Sequence, residues 1–193
     1  TVQNLSYTYN NLEQMTAGGG ATYQYDANGN ITRNIKTGIF GDICMNYTYN
    51  RDGVVKNVLR TEDWGNETPY IIEYGYTYYL NGNLKSDMED YKPTKYYSYN
   101  SRNMLECETL SSGKTTTYQY DASGNRTRMI EEDFDSNLYD ITEYAYDNRN
   151  QLVERAVNKD IGSYYECDVY TYDNSGNLLR IEEWDPIADC IMY

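Results

Sequence analysis

The chain has 193 residues, with 16 Lys and Arg against 30 Asp and Glu, a net charge of −14, and no histidine. That balance opposes contact with phosphate backbones and anionic membranes, and the lack of histidine removes the commonest general base and zinc ligand. With 25 tyrosines and 2 phenylalanines, the composition favours strands with half-wetted faces over a dry, deep core.

In chain order, a Tyr-x-Tyr motif recurs eight times, with its second tyrosine at Tyr9, Tyr25, Tyr49, Tyr78, Tyr99, Tyr120, Tyr146 and Tyr172. The spacing varies from 16 to 29 residues while the motif stays constant, so the chain reads as a repeat protein. Two copies are nearly the same word, TYQYDANGN at 22–30 and TYQYDASGN at 117–125. The next position holds Asn10, Asp26, Asn50, Tyr79, Asn100, Asp121, Asp147 and Asp173. Seven of these eight are Asx, the residues that open a type I turn by accepting backbone N–H bonds. Three residues later stand Glu13, Gly29, Gly53, Gly82, Asn103, Gly124, Asn150 and Gly176. Gly and Asn tolerate positive φ, and a type I turn closed by one such residue is a common three-residue hairpin loop with a bulge. Glu13 is the exception, and is expected to carry backbone strain of about 1 kcal/mol or to sit in another turn.

That loop sets a cross-strand column opposite the second tyrosines: Met15, Ile31, Val55, Leu84, Leu105, Arg126, Leu152 and Leu178, seven of them apolar. Aromatic–aliphatic pairs on one face require this pattern. The same register is expected to put Tyr170 opposite Arg180. Second turn signals fall between the motifs, at Gly18-Gly19-Gly20, Gly38 to Asp42, Gly65-Asn66, Lys92-Pro93, Ser111-Ser112-Gly113, Ser136-Asn137 and Asp160-Ile161-Gly162. The expectation is therefore all-β: a long antiparallel meander of about eight hairpins and sixteen strands, twisted or coiled, forming a single repeat domain over 1–193. No stretch shows helical periodicity.

These residues resemble the YD repeat of Rhs proteins, a family that includes the shell-forming subunits of insecticidal Tc toxins and animal teneurins. The resemblance rests on Tyr-x-Tyr-Asp-x-x-Gly-Asn-Leu, as in YTYDNSGNL at 170–178, and on the variant YAYDNRNQL at 144–152. Its motif residues are Tyr23, Tyr25, Asp26 and Gly29; Tyr118, Tyr120, Asp121 and Gly124; and Tyr170, Tyr172, Asp173, Gly176 and Leu178. The resemblance implies a sheet that spirals into a shell, a secreted or cell-surface bacterial location, and a scaffold role without chemistry. In the bacterial toxins of the family the shell encloses a toxic C-terminal segment. The family's plug motif near Asp-Pro-x-Gly-Arg departs here, because Asp185-Pro186 is followed by Ile187-Ala188-Asp189. The chain is therefore expected to be a shell segment or a small stand-alone relative, partnered by the rest of a parent shell or by itself through its sheet edges. Neither nucleic acid nor membrane insertion is expected; the sequence Thr1-Val2-Gln3-Asn4 does not resemble a signal peptide.

The alternative is a carbohydrate-binding or adhesion module. Trp64 in EDWGNE and Trp184 in EEWDP sit among carboxylates. Each reads either as a platform for a sugar ring or as an indole covering the sheet near a strand end. Asp133, Asp135 and Asn137 alternate like the start of a calcium loop, but Leu138 replaces the turn glycine, so a solvated acidic turn is expected and no metal or other cofactor. Glu182 and Glu183 point to opposite faces of a strand and cannot flank one bond, so no catalytic residue is assigned. Cys44, Cys107, Cys167 and Cys190 read either as free thiols or as one or two disulfides.

Overall fold

The computed structural model describes residues 6–65, 68–133, 138–159 and 164–184. All regular structure there is β, in sixteen strands that follow one another in sequence order. They fall into two compact units, Thr1–Thr94 and Lys95–Tyr193.

The first unit holds β1 (Tyr7–Tyr9), β2 (Met15–Gly18), β3 (Ala21–Tyr25), β4 (Ile31–Gly38), β5 (Gly41–Tyr49), β6 (Val55–Asp63), β7 (Tyr70–Tyr78) and β8 (Leu84–Glu89). The second holds β9 (Lys95–Tyr99), β10 (Leu105–Leu110), β11 (Thr115–Tyr120), β12 (Arg126–Asp133), β13 (Leu138–Tyr146), β14 (Leu152–Lys159), β15 (Tyr164–Tyr172) and β16 (Leu178–Trp184). Within each unit every strand pairs antiparallel with its neighbours in the chain, as short turns between strands dictate. Of the second turn signals, Asn66, Ser136-Asn137 and Asp160-Ile161-Gly162 lie outside the described residues, as do Asp135 of the acidic turn and Cys190.

The eight hairpin loops share one backbone shape. Each closes on a residue of positive φ, from 61° at Glu13 and Asn150 to 93° at Gly124. Glu13 thus takes the same turn as the glycines and bears the left-handed strain itself. In each loop the Asx-position N–H donates to the carbonyl four residues on, as in Asp26 to Asn30 at 2.9 Å. In the Asx loops the side chain accepts as well. Asp26 Oδ1 takes the Asn28 and Asn30 N–H groups at 2.9 and 2.8 Å, and Oδ2 takes the Asn30 amide at 2.9 Å.

One expectation of register is corrected. Tyr172 does face Leu178, but Arg180 faces Thr171 and Ile181 faces Tyr170. A one-residue bulge at Leu179 shifts the ladder, and the corresponding shift follows the loop in every hairpin. The extra residue sets two positions of the returning strand against one of its partner, which bends that strand and increases its local twist.

The core is thin. Val58 is buried in the first unit and Ala156, Val157 and Cys167 in the second, and no large side chain is fully buried among the described residues. Stability must come from ladder hydrogen bonds and from contacts between neighbouring hairpins, as in other repeat arrays.

Candidate functional site

In six motifs the second tyrosine does more than cover the sheet. Tyr25 Oη donates to the Met15 carbonyl at 2.8 Å, Tyr49 to Ile31 at 2.6 Å and Tyr78 to Val55 at 2.8 Å. In the second unit Tyr120 donates to Leu105 at 2.7 Å, Tyr146 to Arg126 at 2.9 Å and Tyr172 to Leu152 at 2.9 Å. The acceptor in all six is the residue that faced the second tyrosine of the preceding hairpin. Its carbonyl lies two residues beyond the last backbone pair joining the two hairpins. For Tyr146 that last pair is Arg128↔Glu143, and for Tyr172 it is Glu154↔Val169. Neighbouring hairpins splay apart near the Asx loops, and the phenol reaches across where the backbone ladder has stopped. A phenylalanine would fill the space but leave the carbonyl without its donor. Burial pushes the Tyr49, Tyr78 and Tyr146 phenols above their ordinary range, which keeps them protonated as donors. Among the described residues Tyr9 has no such partner, and it is 61% exposed.

The loop carboxylates respond in the opposite sense. Asp26, Asp121 and Asp173 are held below the usual carboxylate range, chiefly by side-chain bonds from Asn30, Asn125 and Asn177. Asp147 is lowered chiefly by the Gln151 N–H.

The first tyrosines lie on the same face, farther from the loops. Tyr118 Oη donates to Glu108 at 3.1 Å, and Arg126 lies 4.4 Å over its ring. Burial, then the Glu108 charge, push its pKa up to about 12. Lys95 pairs with Glu108 at 3.2 Å and Lys114 with Glu131 at 3.4 Å around the same ring. Across β14 and β15, Arg155 holds Asp168 at 2.7 Å and Glu166 at 3.0 Å, while the Tyr170 hydroxyl donates to Asp168 at 3.4 Å. The guanidinium is held more firmly charged by the Asp168 hydrogen bond. Each of these half-buried cations thus has a carboxylate partner, and Arg155 serves two.

Trp64 follows directly on β6 and lies beside the β4–β5 turn. There Gly38, Ile39, Phe40, Gly41, Asp42, Ile43, Glu62, Asp63 and Trp64 line a cleft of about 190 Å³. Gly41 makes it possible: with φ at 144°, its backbone passes so close to β6 that an added Cβ would lie 1.9 Å from the Asp63 carbonyl oxygen. Ile39 and Phe40 were absent from the sequence-based candidates; the signal was two large apolar residues at a turn tip, where polar residues are usual. Trp184 ends β16 with its backbone opposite Cys167, far in the chain from this cleft, and its side chain lies outside the described residues. Cys44, Cys107 and Cys167 are free thiols. No group of three metal-ligating side chains occurs among the described residues. Glu182 and Glu183 face Val169 and Asp168, so they lie on opposite faces.

Comparison with known proteins places this architecture. A family model described as RHS Repeat matches residues 99–133. A tRNA3(Ser)-specific nuclease WapA of Bacillus spizizenii is 32% identical over 170 residues, which is 88% of this chain and 6% of that protein. The tRNA nuclease WapA of Bacillus subtilis strain 168 is 29% identical over the same shares. Among solved structures, the TcdB2–TccC3–Cdc42 crystal structure superposes with a TM-score of 0.67 at 16% identity, over 86% of this chain and 9% of that one. The Photorhabdus luminescens Tc holotoxin pore with a TccC3 mutation gives 0.68 at 17% identity, over the same shares. The chain thus spans about 6% of the length of the curated relatives it matches.

Proposed function

We propose, from the premise that the chain is a YD-repeat protein of the Rhs type, that it is a wall segment of a larger extracellular or surface shell and performs no chemistry itself. The whole of 1–193 then acts as one repeat domain, partnered by the adjoining repeats of a parent polypeptide. The observation that carries the reading is the tyrosine stitch. Six times over, a phenol ties one hairpin to the carbonyl of the one before. Such bonds specify a continuous wall from nearest-neighbour contacts alone, and they use the aromatic residues that a binding face would otherwise present.

The nuclease activity named for the two WapA relatives belongs, in this reading, to parts of those proteins outside the matched 6%. A net charge of −14 repels tRNA. A wall of this kind suits enclosure of another segment of the same polypeptide. Two measurements test the reading. The purified 193-residue chain, incubated with total tRNA, is expected to leave it intact; cleavage abolished by substitutions within this chain would overturn the non-catalytic assignment. Limited proteolysis of the parent polypeptide is expected to spare the enclosed segment until the wall is unfolded, and early cutting of that segment while the wall is folded would overturn enclosure.

A further inference from the structure

The apolar cleft between the β4–β5 turn and the end of β6 is not accounted for by a wall. Ile39 is 94% exposed, Phe40 75% and Trp64 56%. Three large apolar side chains standing in solvent around one hollow mark an interaction site more often than chance exposure does. The polar groups beside them are equally uneconomical. Asp42 and Asp63 are directly paired across β5 and β6. Like charges facing each other across a ladder destabilise it. Neither takes part in an ion pair among the described residues; the Asp63 carboxylate accepts only the Gly65 N–H, at 2.9 Å. Glu62, by contrast, is already neutralised by Arg60.

We propose that this cleft binds a polypeptide segment carrying one large apolar side chain, aromatic or branched, flanked by Lys or Arg. Size, lining and charge each narrow the occupant. A cavity of roughly 150 Å³ holds a benzene ring, whereas drug-sized ligands occupy roughly 300 Å³ or more. The 190 Å³ of this cleft takes one side chain, and an adjoining hollow of about 400 Å³, lined by the same tip residues with Asp42, Asp63 and Gly65, leaves room for the residues flanking it. The cleft's lining is almost wholly apolar, with Ile39, Phe40, Ile43 and Trp64 beside Gly38 and Gly41. A sugar ring placed there would bury hydroxyls against apolar walls, at the cost of unmade hydrogen bonds. Asp42 and Asp63 pair on the face of β5 and β6 opposite Ile43 and Glu62 and line the adjoining hollow, so a cationic residue next to the inserted side chain would meet them there and relieve their mutual repulsion. The lack of a side chain at Gly41 lets the β4–β5 turn lie directly against the Asp63 and Trp64 backbone, which brings Ile39 and Phe40 beside Trp64. This assignment is independent of the scaffold reading, because it concerns a turn tip away from the tyrosine stitches.

The test uses the full 193-residue chain labelled with nitrogen-15, whose two tryptophans give two indole signals, assigned with Trp64→Phe. Four probes are titrated: the capped tripeptides Lys-Phe-Lys, Glu-Phe-Glu and Lys-Ala-Lys, and the sugar chitotetraose. The Trp64 indole signal is expected to move with Lys-Phe-Lys at millimolar concentration and with no other probe. In the Asp42→Asn, Asp63→Asn double variant, the affinity is expected to fall about tenfold while the chain stays folded. Raising the salt concentration is expected to weaken binding in the unmodified chain and to have little effect in the variant. Phe40→Ser is expected to abolish the response, with unchanged tyrosine-face signals reporting an intact sheet. The proposal is overturned by no movement of Trp64 with Lys-Phe-Lys up to about 10 mM, by equal response to Glu-Phe-Glu, or by a stronger response to chitotetraose.

Discussion

The two ends of the hairpins obey different rules. At the Asx end, eight loops repeat one backbone shape, and six tyrosine hydroxyls reach the carbonyl of the preceding hairpin. At the opposite end, the described turns differ. Gly19-Gly20 turns with two positive φ values, Tyr91 takes φ of 66°, and Gly113 closes a loop at 103°, while Ile39 and Phe40 form the tip above Gly41. The contrast separates the part of each unit that builds the wall from the part that is free to carry something else. Identical loops are needed where a hairpin must present the same carbonyl to its successor. No such demand falls on the other end, so that is where a cleft can arise without disturbing the array.

Four experiments test that contrast. The largest effect is expected from Gly41→Ala. The added methyl would meet the Asp63 carbonyl at 1.9 Å on a backbone that disfavours side chains, so urea unfolding should show a loss of about 3 kcal/mol. A loss as small as that of an ordinary surface substitution would mean β5 and β6 do not approach so closely.

Next comes the stitch. Tyr146→Phe removes the donor to the Arg126 carbonyl and should cost about 1 kcal/mol. Tyr9→Phe, where the phenol bonds no carbonyl among the described residues, should stay within about 0.5 kcal/mol of the starting chain. Equal effects at both positions would reduce the phenol to its ring.

A smaller gain is expected at the loop that breaks the residue pattern. Glu13 holds φ at 61°, so Glu13→Gly should stabilise by about 0.5 kcal/mol, the relief of strain being partly offset by the freedom glycine has when unfolded. The same exchange in reverse, Gly53→Glu, should destabilise.

The smallest effect on overall stability is expected from acid. The Asp26, Asp121 and Asp173 carboxyls are lowered from the ordinary value of 3.8, chiefly by the Asn side chain four residues on. Their contribution is complete above that value and is lost as pH falls through the lower folded-state values. Amide spectra should therefore show the Asx loops loosening in that acid window before the strands unfold. At the alkaline limit the sign reverses. Tyr118, raised to about 12, contributes stability below pH 10 that is lost as pH rises between the two values.

The sheet, its strand number and the loop type were legible because their causes are local. An Asx and a glycine three residues apart determine a hairpin loop, and the tyrosine before it marks the strand end. The bulge after each loop was not legible, which is why Tyr170 was matched to Arg180 rather than Ile181. An extra residue in one strand leaves no mark in an alternating pattern. Trp64 stood out by composition, yet its neighbours Ile39 and Phe40 did not, because 24 residues separate Phe40 from Trp64.

What the amino-acid order determined by itself was therefore the repeating unit: which residues turn, which alternate, and that a chain of such units is all-β. How the units are joined depends instead on the folded chain. The stitching hydroxyl and its carbonyl lie between 10 and 23 residues apart, across connections of unequal length. The cleft likewise depends on Gly41 meeting Asp63 across a strand pair. Turn chemistry acts over four residues and can be read along the chain; a bond between hairpins exists only once the ladder has set the distance between them.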